Sequence, residues 1–338
     1  MAWKRKTARS WSSRGRATKV KPRHRSARAV RRSLAPRAHS VLQQLPRPYE
    51  YEDVLLNAVV HGTGEQLGPD SAVIVDAIAS MTPSLRALHF GRGMRSGRAL
   101  YSLCARLGEH RDAMLCLPDF MEHAGYSDVR FERLGALFRV VMRASGPDIS
   151  GANVHTFEAG LLSGFMGAAE GRRVVVSETS CSLNGSDHCV FEPAPPRQGR
   201  VKLESAMHSI ASHLASGRDD RKVINRYYCN LLWGTLLNAE YDSEMRGVVR
   251  YCGAVMRVAL EGLDRDPIKE AKSVVEMLGL GKVEVSNGKR FSASISFDSV
   301  SAKRSFMEMS MSFLSGLLGG APVEITEAAS SYSISVQQ

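Results

Sequence analysis

Two cysteines, Cys181 and Cys189, flank an Asn184–Gly185 turn signal in the segment EAGLLSGFMGAAEGRRVVVSETSCSLNGSDHCVFEP, residues 158–193. Asn-Gly between two apolar runs predicts a β-hairpin, which brings the sulfurs on either side of its turn together. Paired thiolates are soft donors of the kind zinc prefers, completed to a tetrahedron by His or a carboxylate. The completing groups are His155, at the start of the preceding helix, and an acid such as Glu132 or Glu178, with His188 as a rival. The expected metal set is Cys181, Cys189, His155 and Glu132. There is no CxxC spacing, so the same pair also reads as two inert thiols packed near a turn. A disulfide fits the hairpin geometry but not a reducing compartment.

Other candidate chemistry is sparse, and the chain is expected not to be an enzyme. It has no Ser-His-Asp order, nucleophile elbow or HExxH motif. GRGMRSG (91–97) lacks the Walker lysine–serine pair, so its small residues read as allowing close helix packing. Asn184-Gly185-Ser186 is a formal glycosylation sequon, without meaning unless the chain is secreted. Lys222–Arg226, beside Tyr227 and Tyr228, reads as a solvated helix face, and Met307–Met311 as core.

The elements that must position the cysteine pair are helices followed by an antiparallel sheet, an α+β arrangement. Apolar residues recur with helical spacing from Tyr51 to about Glu65, from Ser71 to Ala79, and again after Phe90. Pro118–Gly125 predicts a break before a strand at Tyr126–Leu134, with a second strand at 136–143. His155–Ala169 reads as a helix rich in small residues. Arg173–Ser177 and 187–192 read as the hairpin strands.

The second half repeats this order. LLSG (161–164) is matched by FLSG (313–316), and VVVSE (174–178) by VEITE (323–327). AGYSDVRF (124–131) is matched by GLGKVEV (279–285), and RSGRAL (95–100) by VMRVAL (255–260). Two duplicated units are therefore expected, 47–195 and 200–338, divided at the Pro-rich PAPPRQGR (193–200). The second unit offers Glu327, Ser330 and Tyr332 or Ser333 where the first has Glu178, Cys181 and Cys189, so it has lost both thiols.

The chain has 338 residues and a net charge of +11, unevenly placed. Residues 1–40 hold fourteen Lys or Arg and no acid, leaving 31 basic against 34 acidic side chains for the remainder. So basic and apolar-poor a segment, 1–46, is expected to be a disordered arm when free. Its cations suit a phosphate backbone: Lys4, Arg5, Lys6, Arg9, Arg14, Arg16, Lys19, Lys21, Arg23, Arg25, Arg28, Arg31, Arg32 and Arg37. Trp3 and Trp11, interleaved with them, can stack on bases. An acidic protein partner, a solubilising tail and an organellar transit segment are the competing readings, although the arginine spacing gives the last no apolar helical face. No apolar run is long enough to cross a membrane. Six cysteines are too few for a secreted disulfide scaffold, so a reduced, cytoplasmic protein is expected.

Residues 50–193 resemble the 4-vinyl reductase domain. The match rests on Phe157-Glu158-Ala159-Gly160, Ser163-Gly164, Glu178, Cys181, Gly185 and Cys189, with Gly91 to Leu100 and Gly125 upstream. By the internal repeat it extends weakly over 200–338. The resemblance implies a pocket for small hydrophobic molecules, and the use of this fold as the aromatic-effector sensor of some bacterial transcription activators. In those sensors cysteines and a carboxylate hold zinc. Cys181 and Cys189 match the two hairpin ligands, and His155 falls where the family has a third cysteine. Members of the fold commonly pair, so the expected assembly is a pseudo-dimer within the chain or a homodimer.

The expected function is a non-enzymatic tandem protein whose arm binds nucleic acid, an RNA or a ribonucleoprotein such as the ribosome or chromatin. Its first unit holds zinc or a small apolar ligand. The alternatives are a small-molecule-sensing regulator, or an accessory factor in pigment or aromatic metabolism.

Overall fold

The computed structural model describes residues 48–338 apart from 69, 108–112, 135–136, 147–148, 150–153, 196–201, 217–223, 237–241, 278–281, 288–290, 297–302, 320–322, 329–330 and 337–338. The arm residues from Trp3 to Arg37 lie outside the described residues.

The first half opens with α1 (Pro48–Val60), the two-residue β1 (Gln66–Leu67) and α2 (Asp70–Ala79). The long α3 (Pro83–Leu107) and α4 (Ala113–Ala124) follow. Pro83 suits the first turn of α3, where its missing N–H costs nothing. Thr82 Oγ1 accepts the Leu85 N–H there as a cap. Pro118 does not break the chain as its type predicts. It lies inside α4, whose buried stripe of Leu117, Phe120 and Met121 holds the helix against the core through Ala124.

β2 (Ser127–Leu134) and β3 (Leu137–Arg143) precede α5 (Thr156–Glu170), and β4 (Val176–Ser180) and β5 (Cys189–Pro193) complete an antiparallel sheet of order β2-β3-β5-β4. The expected mixture of helices and antiparallel sheet is therefore what the chain forms.

The second half runs α6 (Leu203–Ser216), β6 (Ile224–Asn225), α7 (Arg226–Leu236), α8 (Asp242–Glu261), α9 (Pro267–Met277), β7 (Lys282–Asn287), β8 (Phe291–Ser296), α10 (Lys303–Leu317), β9 (Val323–Ala328) and β10 (Ser331–Val336). Its sheet has the order β7-β8-β10-β9. Helices and strands thus succeed one another in the same order in both halves.

The central helix pairs pack through glycine. A Cβ on Gly97 of α3 would collide with the Leu161 carbonyl of α5, and one on Gly164 with the Met94 carbonyl. In the second half a Cβ on Gly253 of α8 would meet the Phe313 carbonyl of α10, and one on Gly316 the Arg250 carbonyl. Gly253 thus has the packing role of Gly97, one helical turn from the pairing of 95–100 with 255–260 drawn from sequence. GRGMRSG is a packing surface, as its small residues suggest.

The halves interlock. β1 pairs antiparallel with β6, Gln66 opposite Asn225 and Leu67 opposite Ile224. Asn225 Nδ2 donates to the Thr63 carbonyl (2.8 Å), while its Oδ1 accepts the Tyr227 N–H (2.9 Å) and caps α7. Arg226 donates its N–H to the Glu65 carbonyl and pairs by side chain with the Glu65 carboxylate at 2.9 Å. One contiguous core joins Phe120, Phe157, Phe165 and Phe191 of the first half to Trp233, Met256 and Phe313 of the second.

Cys104 of α3 and Cys116 of α4 form a disulfide, with Cα atoms 6.0 Å apart. This departs from the expectation of reduced thiols throughout. Two consecutive helices that pack on each other bring these positions within bridging range.

Candidate metal centre

The Asn184–Gly185 turn forms as its residue types require. Gly185 adopts φ 78°, a left-handed conformation that glycine takes without strain. The chain between the cysteines coils into a single 3-10 turn, Ser182–Asn184. The N–H groups of Asn184 and Ser186 both donate to the Cys181 carbonyl (3.1 and 3.2 Å). Cys181 and Cys189 therefore face each other across a tight knuckle, both buried.

His155 and Glu178 join them. His155 precedes the first residue of α5, and Glu178 lies on β4 three residues before Cys181. One donor atom from each of His155, Glu178, Cys181 and Cys189 lies within 4.8 Å of the others, and all four residues are buried. His155 Nδ1 stands 2.8 Å from Glu178 Oε1, 3.6 Å from Cys181 Sγ and 3.8 Å from Cys189 Sγ. The His155 backbone N–H also donates to Glu178 Oε2 at 3.2 Å. Cys189 Sγ accepts the Ser182 N–H (3.3 Å) and lies 3.2 Å from the Ser182 hydroxyl, which is itself anchored on the Ala144 backbone. Such outer contacts hold sulfur ligands in orientation.

The fourth corner differs from the expectation. Glu132 lies on β2 with its side chain 48% exposed, 3.3 Å from Arg139, outside the cluster. It fails because the β2 face that carries it looks to solvent. His188 is also outside, with Nε2 3.3 Å from Arg130.

The electrostatics are those of a metal-type donor set. Burial alone would push the His155 imidazole down, but Cys189, Glu178 and Cys181 together hold its pKa well above the usual histidine value. Burial raises Glu178 against the pull of His155. The hydrogen bond between the cysteines lowers Cys189 and raises Cys181. Two thiols, an imidazole and a carboxylate at these separations match the donor types and count of a closed tetrahedral zinc site.

Behind the cluster lies a second buried polar group that sequence patterning missed. Asp76 of α2 accepts the N–H groups of Phe157 and Thr156 at the start of α5, and meets His89 Nε2 at 3.1 Å. Burial raises Asp76 to about 7 and lowers His89 to about 4. Glu158, fully buried, receives the phenol hydrogens of Tyr126 (2.6 Å) and Tyr228 (2.5 Å) on Oε1, while its Oε2 has no partner. Tyr228 belongs to α7, in the other half of the chain. The Phe157-Glu158 dipeptide was legible as a motif; the tyrosines that meet it were not.

A pocket lined by Val73, Asp76, Tyr126, His155, Leu183 and Ile224 adjoins the cluster. Its space between atoms, open mouth included, is about 260 Å³. That is below the roughly 300–1,000 Å³ usual for small-molecule sites.

Among the described residues no helix is long and apolar enough to cross a membrane. A family model of the 4-vinyl reductase domain matches residues 144–195. That segment contains α5, the hairpin and all four clustered donors. No curated protein and no solved structure matches the chain.

Proposed function

We propose that the chain is a non-enzymatic protein of the 4-vinyl reductase domain type whose first half is stapled by zinc and whose basic arm binds nucleic acid. The observation that carries the first part is the buried convergence of His155, Glu178, Cys181 and Cys189. Zinc held there would join α5 to the β4–β5 hairpin. Four protein donors leave no open position for substrate, which favours a structural role over a catalytic one. The repeated element order and the paired glycine contacts support reading the chain as a duplication, with the second copy free of thiols at the corresponding hairpin.

A second reading follows from the pocket beside His155. Resemblance to the 4-vinyl reductase domain implies a small apolar ligand, and a ligand seated against Asp76, Tyr126 and His155 would couple to the metal centre through a shared residue. Its small volume favours the staple over the sensor.

The arm reading rests on fourteen cations and two tryptophans without an acid in residues 1–40. A cytoplasmic setting belongs to the same reading.

Metal analysis of the purified full chain tests the staple. About one zinc per chain, lost in Cys181→Ser together with a lower melting temperature, is the expected result. Well under one zinc, unchanged by Cys181→Ser, overturns it.

A further inference from the structure

Helix α3 carries Arg92, Arg95, Arg98 and Arg106 and contains no Asp or Glu along its 25 residues. At 100° per residue these four fall within an arc of about 120° on one side of the helix. Gly93 and Gly97 occupy the opposite side, buried against α5. Arg95, Arg98 and Arg106 are exposed, and Arg92 is half-buried. Among the described residues none of the four has a carboxylate partner. The corresponding helix of the second half differs: on α8, Arg246 meets Glu308 at 3.7 Å and Arg257 meets Glu261 at 2.6 Å. The first half therefore leaves unneutralised what the second half pairs.

The row also lies where the arm joins the folded body. The described chain begins at Pro48, and Glu52, one turn into α1, accepts a hydrogen bond from Ser96, between Arg95 and Gly97 on α3. Glu52 is thereby engaged with a hydroxyl rather than with an arginine.

We propose that this arginine face of α3 is a second, rigid phosphate-backbone contact, continuous with the basic arm. The inference rests on the arm reading above. Arg92 to Arg106 span about 21 Å at 1.5 Å per residue, enough to follow several phosphates of one strand. Guanidinium groups bind phosphate oxygens through paired donors. Among Gly91, Ala99 and Ser102, which complete the face, there is no large apolar side chain to insert into a bilayer. The contact reads phosphate and not base, so it should be indifferent to sequence.

The test uses the full chain and labelled 30-mers of single-stranded RNA, duplex RNA and duplex DNA, titrated across a salt series. Replacing all four arginines with Gln is expected to reduce the slope of log K against log salt by about 3 to 4 on duplex DNA. The matching Arg→Lys variant should retain the slope. Arg95→Gln with Arg98→Gln, both at exposed positions, should reduce it by about 2 with the melting temperature unchanged. A full chain with the arm's Lys and Arg changed to Gln separates the two claims. If that variant loses binding while the α3 variants keep the wild-type slope, the arginine face is overturned and the arm reading stands. If the wild type binds none of the three nucleic acids, both fall. Stronger, arginine-dependent binding to phosphatidylserine vesicles overturns the assignment to nucleic acid.

Discussion

Tyr228, from the second half of the chain, donates its phenol hydrogen to Glu158 of the first at 2.5 Å, across seventy residues of sequence. Glu158 opens α5, the helix that follows the metal-type donor His155, so the second half reaches the support of the candidate centre directly. Burial and the nearby Asp76 raise the Glu158 pKa, while the two phenols oppose them by stabilising the carboxylate. Removing a donor from a buried carboxylate costs about 1–3 kcal/mol. Tyr228→Phe is therefore expected to lose about that much stability in urea titrations. Tyr251→Phe, which removes an exposed phenol from Glu204, should change stability by less than about 0.5 kcal/mol. Equal effects would contradict the assignment.

The metal centre makes a sharp distinction between two acids. Glu178→Gln should reduce bound zinc and lower the melting temperature in zinc-replete buffer, because it removes an anionic donor from a closed set. Glu132→Gln should leave stoichiometry at the wild-type value, since that side chain faces solvent beside Arg139. Loss of zinc in the second variant alone would reverse the assignment.

Asp76 and His89 impose opposite dependences on pH. Asp76 is raised from 3.8 to about 7, so the folded state binds the extra proton and the stabilising contribution is lost as pH climbs from about 4 to 7. His89 is lowered from 6.5 to about 4, so its contribution is lost as pH falls through that interval. In Asp76→Asn only the histidine effect remains. The melting temperature of Asp76→Asn minus that of wild type should rise between pH 4 and 7 and then level off. A difference independent of pH would show that Asp76 titrates normally.

Two glycines on one helix should respond with opposite sign. Gly97→Ala drives a methyl group into the Leu161 carbonyl, where neither helix backbone yields easily, and is expected to cost about 3 kcal/mol or more. Gly91 faces open space on the same helix, so Gly91→Ala should stabilise by about 0.5–1 kcal/mol through helix propensity alone. Chemical denaturation of the two variants decides.

The Cys104–Cys116 bridge closes a short loop between α3 and α4. Changing both cysteines to Ala should lower stability by about 2–3 kcal/mol, the constraint such a loop places on the unfolded chain. Reductant should lower the stability of wild type and leave the double variant unaffected.

What could be read from sequence was what the chain specifies locally. The Asn184–Gly185 turn sets Cys181 against Cys189 within nine residues, so both were visible, and His155 was found by donor type. Glu178 and Glu132 were both candidates, and only the facing of β2 and β4 in the finished sheet chooses between them. Asp76, His89, Tyr126 and Tyr228 escaped because each sits in an ordinary helix or strand pattern and gains meaning from partners 13 to 70 residues away. Pro118 misled because a local breaker yields where buried neighbours hold the helix. The disulfide was missed because cysteine count speaks to the class of protein rather than to a single pair.

The β1–β6 bridge and the reach of Tyr228 have a consequence for how the molecule behaves on dilution. In a pair of separate subunits such contacts weaken as concentration falls, since association competes with translational freedom. Here the tether fixes one half beside the other at a constant effective molarity. The integrity of the candidate centre should therefore be the same in a cell holding few copies as in a concentrated preparation.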